Sequence, residues 1–558
     1  MFVKRKTLTA SLLGAFLGVL LFASGCDFLE TEPPGTLSEA TFWQTEEDVR
    51  VAANDLYNHL YGQLRFDMSA LSDEAVPNWS FDNLATFARG QQTSETEFGN
   101  SWWPSWWAAN YDGIRAANEV ITRAPDVEEG NQEAINDHIA EARFMRAYLY
   151  MHQAFLFGDV PLIEEPISLE EATDVSRTSQ NEIWDFVSSE LQTAGEELPM
   201  SWSGGNLGRA TKGAAWGMRA RAMLYAASRY ERLGNSQAAS NYYEQARHSA
   251  QAVIGLDEYS LHPDYEELFT PEAEHNDEVI LNKVFVKNDH PNQVNEFLAP
   301  ASMVSGRGQN LNVPTASLID AYEMENGLPP EASGSGYDPE NPYENRDSRL
   351  DYSVFLPGDE LPNGTTYDSR PGFGGPDDVE QGFETTDTGF NVEKYITDEC
   401  LDNQYNCGVN IIEMRYAEIL LIYAEAQYKI TGSATSTAGP GSMSAKEALD
   451  QVRARVGMPA VPADGGPTRT FMERIQHERL VELAFEGQRF FDVRRWGIAE
   501  DVLNGSVFGL RYEDQDGNMQ QVRFASYDRN FESHHYLWPI PQKETELVIA
   551  LAKSTGAC

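Results

Sequence analysis

The stretch RIQHERLVELAFEGQRFFDVRRW, residues 474–496, decides the fold. Apolar or small residues recur in it at i, i+3, i+4 and i+7, the spacing of one helix face, at Leu480, Leu483, Ala484 and Gly487. Arg474 and Glu478 form an i,i+4 pair of opposite charge, which predicts an ion pair on the solvent side of the helix. Gly487 then weakens the helix, and a dense aromatic block follows among three arginines. The spacing predicts a core helix, over residues 474–487, with an aromatic plug at its end.

Catalytic motifs do not stand out in the sequence. We find no nucleophile elbow, phosphate loop, dinucleotide fingerprint or metal-ligand spacing. Glu478 and Glu482 have no obvious partner nearby, and 87 acidic residues make accidental carboxylate pairs certain, so pairs alone do not indicate glycoside cleavage. We therefore expect a protein that is not an enzyme and needs no cofactor, with a hydrolase as an open alternative.

The charge is strongly negative. The 558 residues carry a formal charge of −46, and removing residues 1–25, whose charge is +3, leaves −49. Such a surface repels the phosphates of nucleic acids and anionic lipids, so we expect no nucleic-acid partner. Lysine is scarce beside arginine and acid. This bias suggests a salt-rich habitat, in which screening would relieve the self-repulsion of the surface.

The N-terminus predicts a lipoprotein signal peptide over residues 1–25. Lys4, Arg5 and Lys6 precede an apolar run of about 15 residues, which is short for a membrane span. The run ends in Ala-Ser-Gly before Cys26, which resembles a lipobox and predicts lipidation, for example by palmitate, at Cys26. An uncleaved anchor is the alternative. Residues 26–40 then read as an acidic tether containing a Pro-Pro-Gly turn.

The other cysteines are candidates for a disulfide, and the acid-rich loops are candidates for metal binding. Cys400 and Cys407 close a loop of eight residues, which is plausible as a disulfide in an exported protein. Cys558 has no evident partner, and the spacing predicts no zinc site. Calcium is conceivable at residues 377–388, although so acidic a chain produces such clusters by chance.

Apolar periodicity predicts a mostly α protein of stacked helical hairpins. Helical patterns cover residues 41–64, 105–123, 141–158, 180–197, 211–229, 241–254, 413–428 and 445–456. Thr45 with Asp48 resembles a helix start, Trp107 is expected in the core, and Gly158 followed by Pro161 predicts a helix end. Residues 256–410 are rich in Pro, Gly and acid, which predicts long capping loops with minor short strands near residues 278–286 and 352–356.

Four motifs resemble the SusD/RagB family of Bacteroidota outer-membrane proteins. They are Glu-Arg-x-x-Glu through Arg-Trp at residues 478–496, FGDVP at 157–161, RYAEILLIYAEA at 415–426 and YLWPIPQKE at 536–544. Each motif is weak alone, but together they occur in family order across the mature chain. The resemblance implies tetratricopeptide-like stacking and three segments after the tether: an N-terminal helical region at 41–255, a loop-rich insertion at 256–410 and a C-terminal helical region at 411–558.

The resemblance also implies a function and a location. It implies a lipid-anchored protein on the outer membrane, exposed at the cell surface, that binds a nutrient glycan. It further implies a partner, a SusC-like TonB-dependent transporter, over which the protein acts as a lid. The negative charge favours a neutral oligosaccharide over a polyanion. A helical scaffold lipoprotein that binds protein or peptide partners, with no glycan site, is the alternative.

Aromatic residues within irregular polar sequence are the candidate binding residues. Sugar rings stack their apolar faces on aromatic rings, while their hydroxyls need polar partners. The candidates lie in residues 73–103 and in the insertion: Asp73, Trp79, Phe81, Asn83, Trp102, Trp103 and Tyr337, with Arg307 and Tyr343 as weaker ones. The alternative is that these aromatics pack the loops onto helices. Two or three ring platforms predict affinity in the roughly μM–mM range.

Overall fold

Helices dominate the computed structural model, which describes residues 42–79, 83–96, 105–304, 310–382, 384–439, 441 and 443–548. The helices of the first half are Glu46–Leu56 (α1), Leu64–Ala70 (α2), Asn83–Ala88 (α3), Trp106–Arg123 (α4), Gln132–Phe157 (α5), Leu169–Ala172 (α6), Gln180–Glu197 (α7), Lys212–Arg232 (α8) and Ser236–Ile254 (α9). Those of the second half are Val294–Leu298 (α10), Ala316–Ala321 (α11), Tyr416–Thr431 (α12), Ala445–Arg455 (α13), Phe471–Glu482 (α14), Gln488–Arg495 (α15), Ala499–Val502 (α16) and Gln542–Leu547 (α17). The mostly α prediction is confirmed.

The long helices pack in a continuous series. α1 and α4 pack on α5, α5 on α7, α7 on α8, α8 on α9, α9 on α12, and α12 on α13 and α14. We call α1, α4, α5, α7–α9 and α12–α15 the helical frame. Alanine and glycine let neighbours approach closely: a Cβ on Gly195 would meet the Trp216 ring at 2.9 Å. None of the helices in the described ranges is both long and apolar enough to cross a membrane.

Several helix ends follow local sequence signals. Thr45 and Asp48 form the capping box expected at the start of α1. α7 has the predicted bounds, and α5 ends at Gly158, whose φ of 76° suits glycine. α5 begins nine residues before the predicted start, because its first turns are polar and escape an apolar pattern. Trp107 is buried, as expected.

The deciding stretch departs from its prediction in two ways. Its helix ends at Glu482 instead of Gly487, and a second helix starts after Gly487, which has φ 73°. The predicted solvent-side pair is also wrong. Arg474 binds Glu323 instead, and Glu478, which has no exposed surface, binds Arg349 and Arg453. Helical periodicity cannot reveal such partners, of which Glu323 and Arg349 lie more than a hundred residues away along the chain.

The predicted helix at 413–428 begins too early. Residues Ile411–Arg415 form a strand (β6) that pairs antiparallel with Val279–Lys283 (β2), and the helix starts at Tyr416. The strand carries Glu413 toward Arg65 and Arg221, and Arg415 toward three carboxylates. These ion pairs and the ladder fix an extended conformation that local propensity does not indicate.

The remaining strands are short except for one hairpin. They are Ala75–Pro77 (β1) with Asn312–Pro314 (β3), Val354–Phe355 (β4) with Asn391–Val392 (β5), and the hairpin of Asn504–Glu513 (β7) and Met519–Asn530 (β8). Both short strands expected in the insertion, at 278–286 and 352–356, are present as β2 and β4. A second apolar cluster, which we call the loop core, gathers side chains of residues 265–412 around the end of α14.

Buried ion pairs join the loop core to the helical frame. Arg349 binds Glu478 and Glu482 at 2.6 and 2.8 Å. Arg415 binds Glu482 at 2.5 Å and Glu486 at 2.7 Å. We call this set the charge network; its other members are Glu278, Glu323, Asp347, Lys394, Arg453, Arg455, Arg469 and Arg474. Arg474, Glu478, Glu482 and Glu486 of the deciding stretch are therefore structural.

Candidate functional site

Only some of the predicted binding residues lie in the described part of the chain. Phe81, Trp102, Trp103, Arg307 and the lipidation residue Cys26 fall outside the described residues. The structure describes the other candidates, which are Asp73, Trp79, Asn83, Tyr337 and Tyr343. The candidate site consists of these residues and of the segments that contact them.

Asn78 ties three segments together beside Trp79. β1 leads into Asn78, whose backbone N–H donates to the carbonyl of Leu311 at 2.8 Å. Its side-chain amide donates to the carbonyl of Thr385, and its side-chain oxygen accepts from the N–H of Asp387, both at 2.8 Å. Trp79 follows this junction and is half-buried. We call residues 72–79, 310–316 and 384–390, with the β7–β8 hairpin, the loop face.

Asp73 anchors the loop face to the helical frame. Its two carboxylate oxygens accept from Nε and Nη2 of Arg489, each at 2.7 Å. Burial raises the pKa of Asp73, but the Arg489 guanidinium outweighs it and holds the pKa below its usual value. This pairing gives Asp73 a structural role at the root of the loop face. Its predicted contact with a glycan stays a prediction.

Asp387 is a polar candidate that the sequence did not single out. It is half-buried, and burial raises the pKa of its carboxyl to about 6. Within the described residues, no group donates a hydrogen bond to its carboxylate oxygens. Asp387 lies beside Asn78. Its carboxylate oxygens are available to accept a hydrogen bond from a ligand hydroxyl. No local pattern marks it, because it is one acid among many in the insertion.

Tyr337 and Tyr343 line a pocket at the other end of the loop face. The pocket is a shallow depression with about 270 Å³ of space, open solvent included, and its lining residues are Ala316, Ile319, Asp320, Tyr337, Pro342, Tyr343, Arg346, Phe390, Gly509 and Arg511. Tyr343 meets the edge of Phe390, with ring centroids 6.4 Å apart. Asp320 and Arg511 form an exposed ion pair at 2.7 Å. Aromatic walls with a few charged groups suit a sugar ring.

The segment 384–390 connects the pocket with Trp79. Thr385 and Asp387 bond to Asn78, while Phe390 at the end of the segment lines the pocket. The β7 strand reinforces the connection, because Leu510 donates its N–H to the carbonyl of Thr388. Asn83 is exposed at the start of α3. The segment 384–390 thus links the residue before Trp79 to one wall of the Tyr337 pocket.

Two exposed aromatic rings near the hairpin were missed by the sequence. Phe373 is 41% exposed and stacks under Arg370 at 4.2 Å, and Phe508 on β7 is 43% exposed. The hairpin contacts the loop of Phe373, since the amide of Gln515 donates to the carbonyl of Gly372 at 2.9 Å. The glycines and prolines around Phe373 are the signal that could have found it, because core aromatics seldom lie in such sequence.

The predicted disulfide and the acids considered for calcium both lie in the insertion. Cys400 and Cys407 form a disulfide, with Cα atoms 5.2 Å apart and both side chains buried. At residues 377–388, Asp377 accepts from the N–H of Ser302, and Asp378 accepts from the N–H groups of Gly374 and Glu380. Across the described ranges, no three His, Cys, Asp or Glu side chains converge as a set of metal ligands.

Two family models match the chain. The SusD family model matches residues 277–556, and a SusD-like model described as starch-binding and associating with the outer membrane matches residues 27–224. SusD-like protein P25 of Formosa agariphila is 27% identical over 564 residues, which cover 95% of both chains. A SusD-like protein of Bacteroides ovatus is 24% identical over 536 residues, covering 91% of this chain and 87% of the relative.

Solved structures share the fold. A SusD-like carbohydrate-binding protein of Bacteroides fragilis has a TM-score of 0.78 and 27% identity, covering 92% of this chain and all of that one. Surface glycan-binding protein A of Bacteroides thetaiotaomicron, solved with laminarihexaose, has a TM-score of 0.64 and 19% identity over 90% of this chain and 98% of that one; this likeness concerns the fold alone. From the match over half its length and the shared helical fold, the chain belongs to the SusD family.

Proposed function

We propose that the protein is a cell-surface lipoprotein that binds an oligosaccharide and passes it to a SusC-like TonB-dependent transporter, over which it acts as a lid. Family membership carries this proposal. The Bacteroides fragilis relative, described as carbohydrate-binding, aligns over nearly the whole chain. Anchoring would depend on lipidation of Cys26 in the outer membrane. The chemistry would be capture and release, without covalent change.

The loop face is the proposed binding surface. Trp79 would offer a ring to the apolar face of one sugar, and the pocket of Tyr337 would hold another. Asp387 would accept from ligand hydroxyls. Each stacked ring contributes roughly 1–2 kcal/mol. Two such contacts, before ordering costs, support weak capture with rapid release, which suits delivery to a transporter.

A neutral glycan fits the charge of the protein. The formal charge of −46 disfavours polyanionic glycans such as uronate polymers. The loop face carries carboxylates of its own, including Asp387 and Asp528, and its exposed arginines are paired with acids, Arg511 with Asp320 and Arg523 with Asp528. Neutral oligosaccharides, whose hydroxyls both donate and accept, suit such a surface.

Affinity electrophoresis tests glycan binding directly. Laminarin and starch serve as neutral probes and alginate as the polyanionic probe. We expect a neutral glycan to retard the wild type and Trp79→Ala to weaken binding about tenfold, the effect of about 1.4 kcal/mol. Trp202→Ala is the matched control, since Trp202 is another half-buried tryptophan but packs beside Arg209 in the helical frame.

The outcomes separate the alternatives. Indifference of the wild type to every glycan would favour the scaffold, and stronger binding of alginate would overturn the neutral-glycan proposal. Release of shorter sugars from any probe would revive the hydrolase. The transporter is tested separately by affinity purification of the lipidated protein from detergent-solubilised outer membranes. Recovery of a TonB-dependent β-barrel with the wild type is expected, and its absence would contradict the lid role.

A further inference from the structure

A second pocket lies within the helical frame and shares no lining residue with the loop face. It encloses about 300 Å³, and its lining residues are Phe155, Gln180, Trp184, Arg229, Arg232, Arg494, Arg495, Tyr536 and Leu537. Four of these nine side chains are arginines and none is a carboxylate. The lining of this pocket is therefore positively charged, although the whole chain has a formal charge of −46.

Arg494 is a buried cation that pairs with no carboxylate among the described residues. It is 6% exposed, and its guanidinium packs 3.7 Å from the ring centroid of Phe490. Its Nη1 makes only long contacts with two backbone carbonyls, of Leu71 at 3.4 Å and Phe490 at 3.2 Å. Its Nε has no hydrogen-bond partner among the described residues. A buried charge in such surroundings is costly unless it is compensated.

Two further donors around the pocket lack acceptors. Trp184 has no exposed surface, and its indole N–H has no partner within the described residues. The Nε of Arg232 is likewise buried without an acceptor in the described chain, and its guanidinium stacks on Tyr536 at 3.8 Å. Indole and guanidinium groups can only donate. Three side chains around one pocket, Trp184, Arg232 and Arg494, therefore each have a donor with no acceptor in the described residues.

Neighbouring acids do not neutralise Arg494. Glu425 and Asp492 are bound by Arg495, at 2.6 and 2.8 Å. Glu500, which interacts with Arg232 and Tyr536, lies at the exposed side. Burial, with Arg529 as a further cause, lowers the pKa of Arg494 to about 9, so its guanidinium stays charged at neutral pH. The local field is positive.

We propose that this pocket binds a small monovalent anion, a halide or a carboxylate, held by Arg494 and Arg232 with the indole N–H of Trp184. The ion supplies the acceptor that three donors lack and the countercharge that the buried guanidinium lacks. The guanidinium fork also matches the two oxygens of a carboxylate. The bound anion then stabilises the contact between α7, α8 and α15.

The test combines crystals and solution. Crystals soaked in sodium bromide should give an anomalous peak within hydrogen-bonding distance of Arg494, and sodium formate should displace it. In solution, Tm is measured at fixed sodium concentration while gluconate, too large for the pocket, is replaced by bromide or formate. We expect Tm to rise by about 2 °C, by linkage, with the more effective ion identifying halide or carboxylate.

Variants attribute the effect to the pocket. Arg494→Met should abolish the anion-dependent rise in Tm, while Arg232→Met and Trp184→Phe should each reduce it, which covers the case in which Arg494→Met fails to fold. Arg523→Met, at an exposed hairpin arginine, is the control and should keep the full rise. Equal rises in all variants would overturn the proposal. So would bromide peaks without a solution effect, which would mean an adventitious ion only.

Discussion

Buried carboxylates have opposite surroundings in the charge network and beneath the loop face. Glu482 lies among Arg349, Arg415 and Arg455; burial raises its pKa, but these guanidiniums hold the pKa well below its usual range. Glu74, at the start of β1, is as fully buried, yet its oxygens have no hydrogen-bond partner in the described residues. Burial raises the pKa of Glu74 to about 8.

The acids of the charge network stabilise the fold through ion pairs, whereas Glu74 and Asp387 at the loop face have no such partners in the described residues. In the charge network every acid has a guanidinium or ammonium partner, and these partners come from the insertion as well as from the helical frame. Around the loop face, Glu74 and Asp387 stay poorly compensated, and in the loop core burial and nearby acids raise the pKa of Glu393 to about 8. Of Glu74 and Asp387, only Asp387 is partly exposed, and its carboxyl, with no cation beside it in the described residues, supports placing the binding surface there.

The largest expected effect is the loss of one acid from the charge network. Glu482→Gln removes the countercharge of three buried arginines, which should lower the free energy of unfolding by about 3–5 kcal/mol. Since the folded pKa is below the unfolded value, the contribution of Glu482 is full above about pH 5 and is lost as pH falls. Urea unfolding at pH 7 measures it.

An exposed pair provides the control for Glu482→Gln. Glu47 pairs with Arg50 at the surface, with the side chain of Glu47 62% exposed, so Glu47→Gln should change stability by less than about 0.5 kcal/mol. Equal losses for the two variants would show that the charge network is no more important than a surface pair, and the comparison would fail.

The disulfide should contribute the next largest effect. Cys400 and Cys407 hold a loop of the insertion at the edge of the loop core, and closing eight residues is worth about 2.5 kcal/mol in the chain-entropy model. The Cys400→Ser/Cys407→Ser double variant should lose roughly this amount in urea unfolding. Dithiothreitol should lower the wild-type stability by a similar amount and leave the double variant unchanged; a response of the double variant to dithiothreitol would contradict this assignment.

Glu74→Gln should act in the opposite direction to Glu482→Gln. The native carboxyl stays protonated up to about pH 8, whereas the unfolded one ionises near pH 4.5. Wild-type stability therefore falls as pH rises between these values. Gln removes that loss, so the variant should nearly match the wild type at pH 4.5 and be more stable by about 2 kcal/mol at pH 6. Glu47→Gln is again the control, and a variant less stable than wild type at about pH 6 would refute the account.

The sequence predicts the helical frame better than the site. Helix caps and apolar spacing are local, so the bounds of α4 and α7 and the capped start of α1 agree closely with the prediction, although α1 ends eight residues before the predicted end. The path of β6 and the burial of Glu478 were not, because their partners, Glu278 and Arg349, are distant along the chain. The same limit hid Asp387 and Phe508, which matter only after the insertion has folded beside β1.

The smallest effect on stability is expected on the loop face, where binding should change instead. Asp387 is half-buried, no described residue donates to its carboxylate, and burial raises its pKa to about 6, so Asp387→Asn should not lower the free energy of unfolding at pH 7 and should raise it by about 1 kcal/mol at most. Losing a charged acceptor for sugar hydroxyls should weaken glycan binding about three- to fivefold in affinity electrophoresis. Glu47→Gln, at an exposed acid of α1 outside the loop face, is the control and should leave binding unchanged. If Asp387→Asn instead left binding intact and destabilised the protein as Glu482→Gln does, residues 384–390 would belong with the structural network, because only a side chain that holds the fold loses stability on neutralisation.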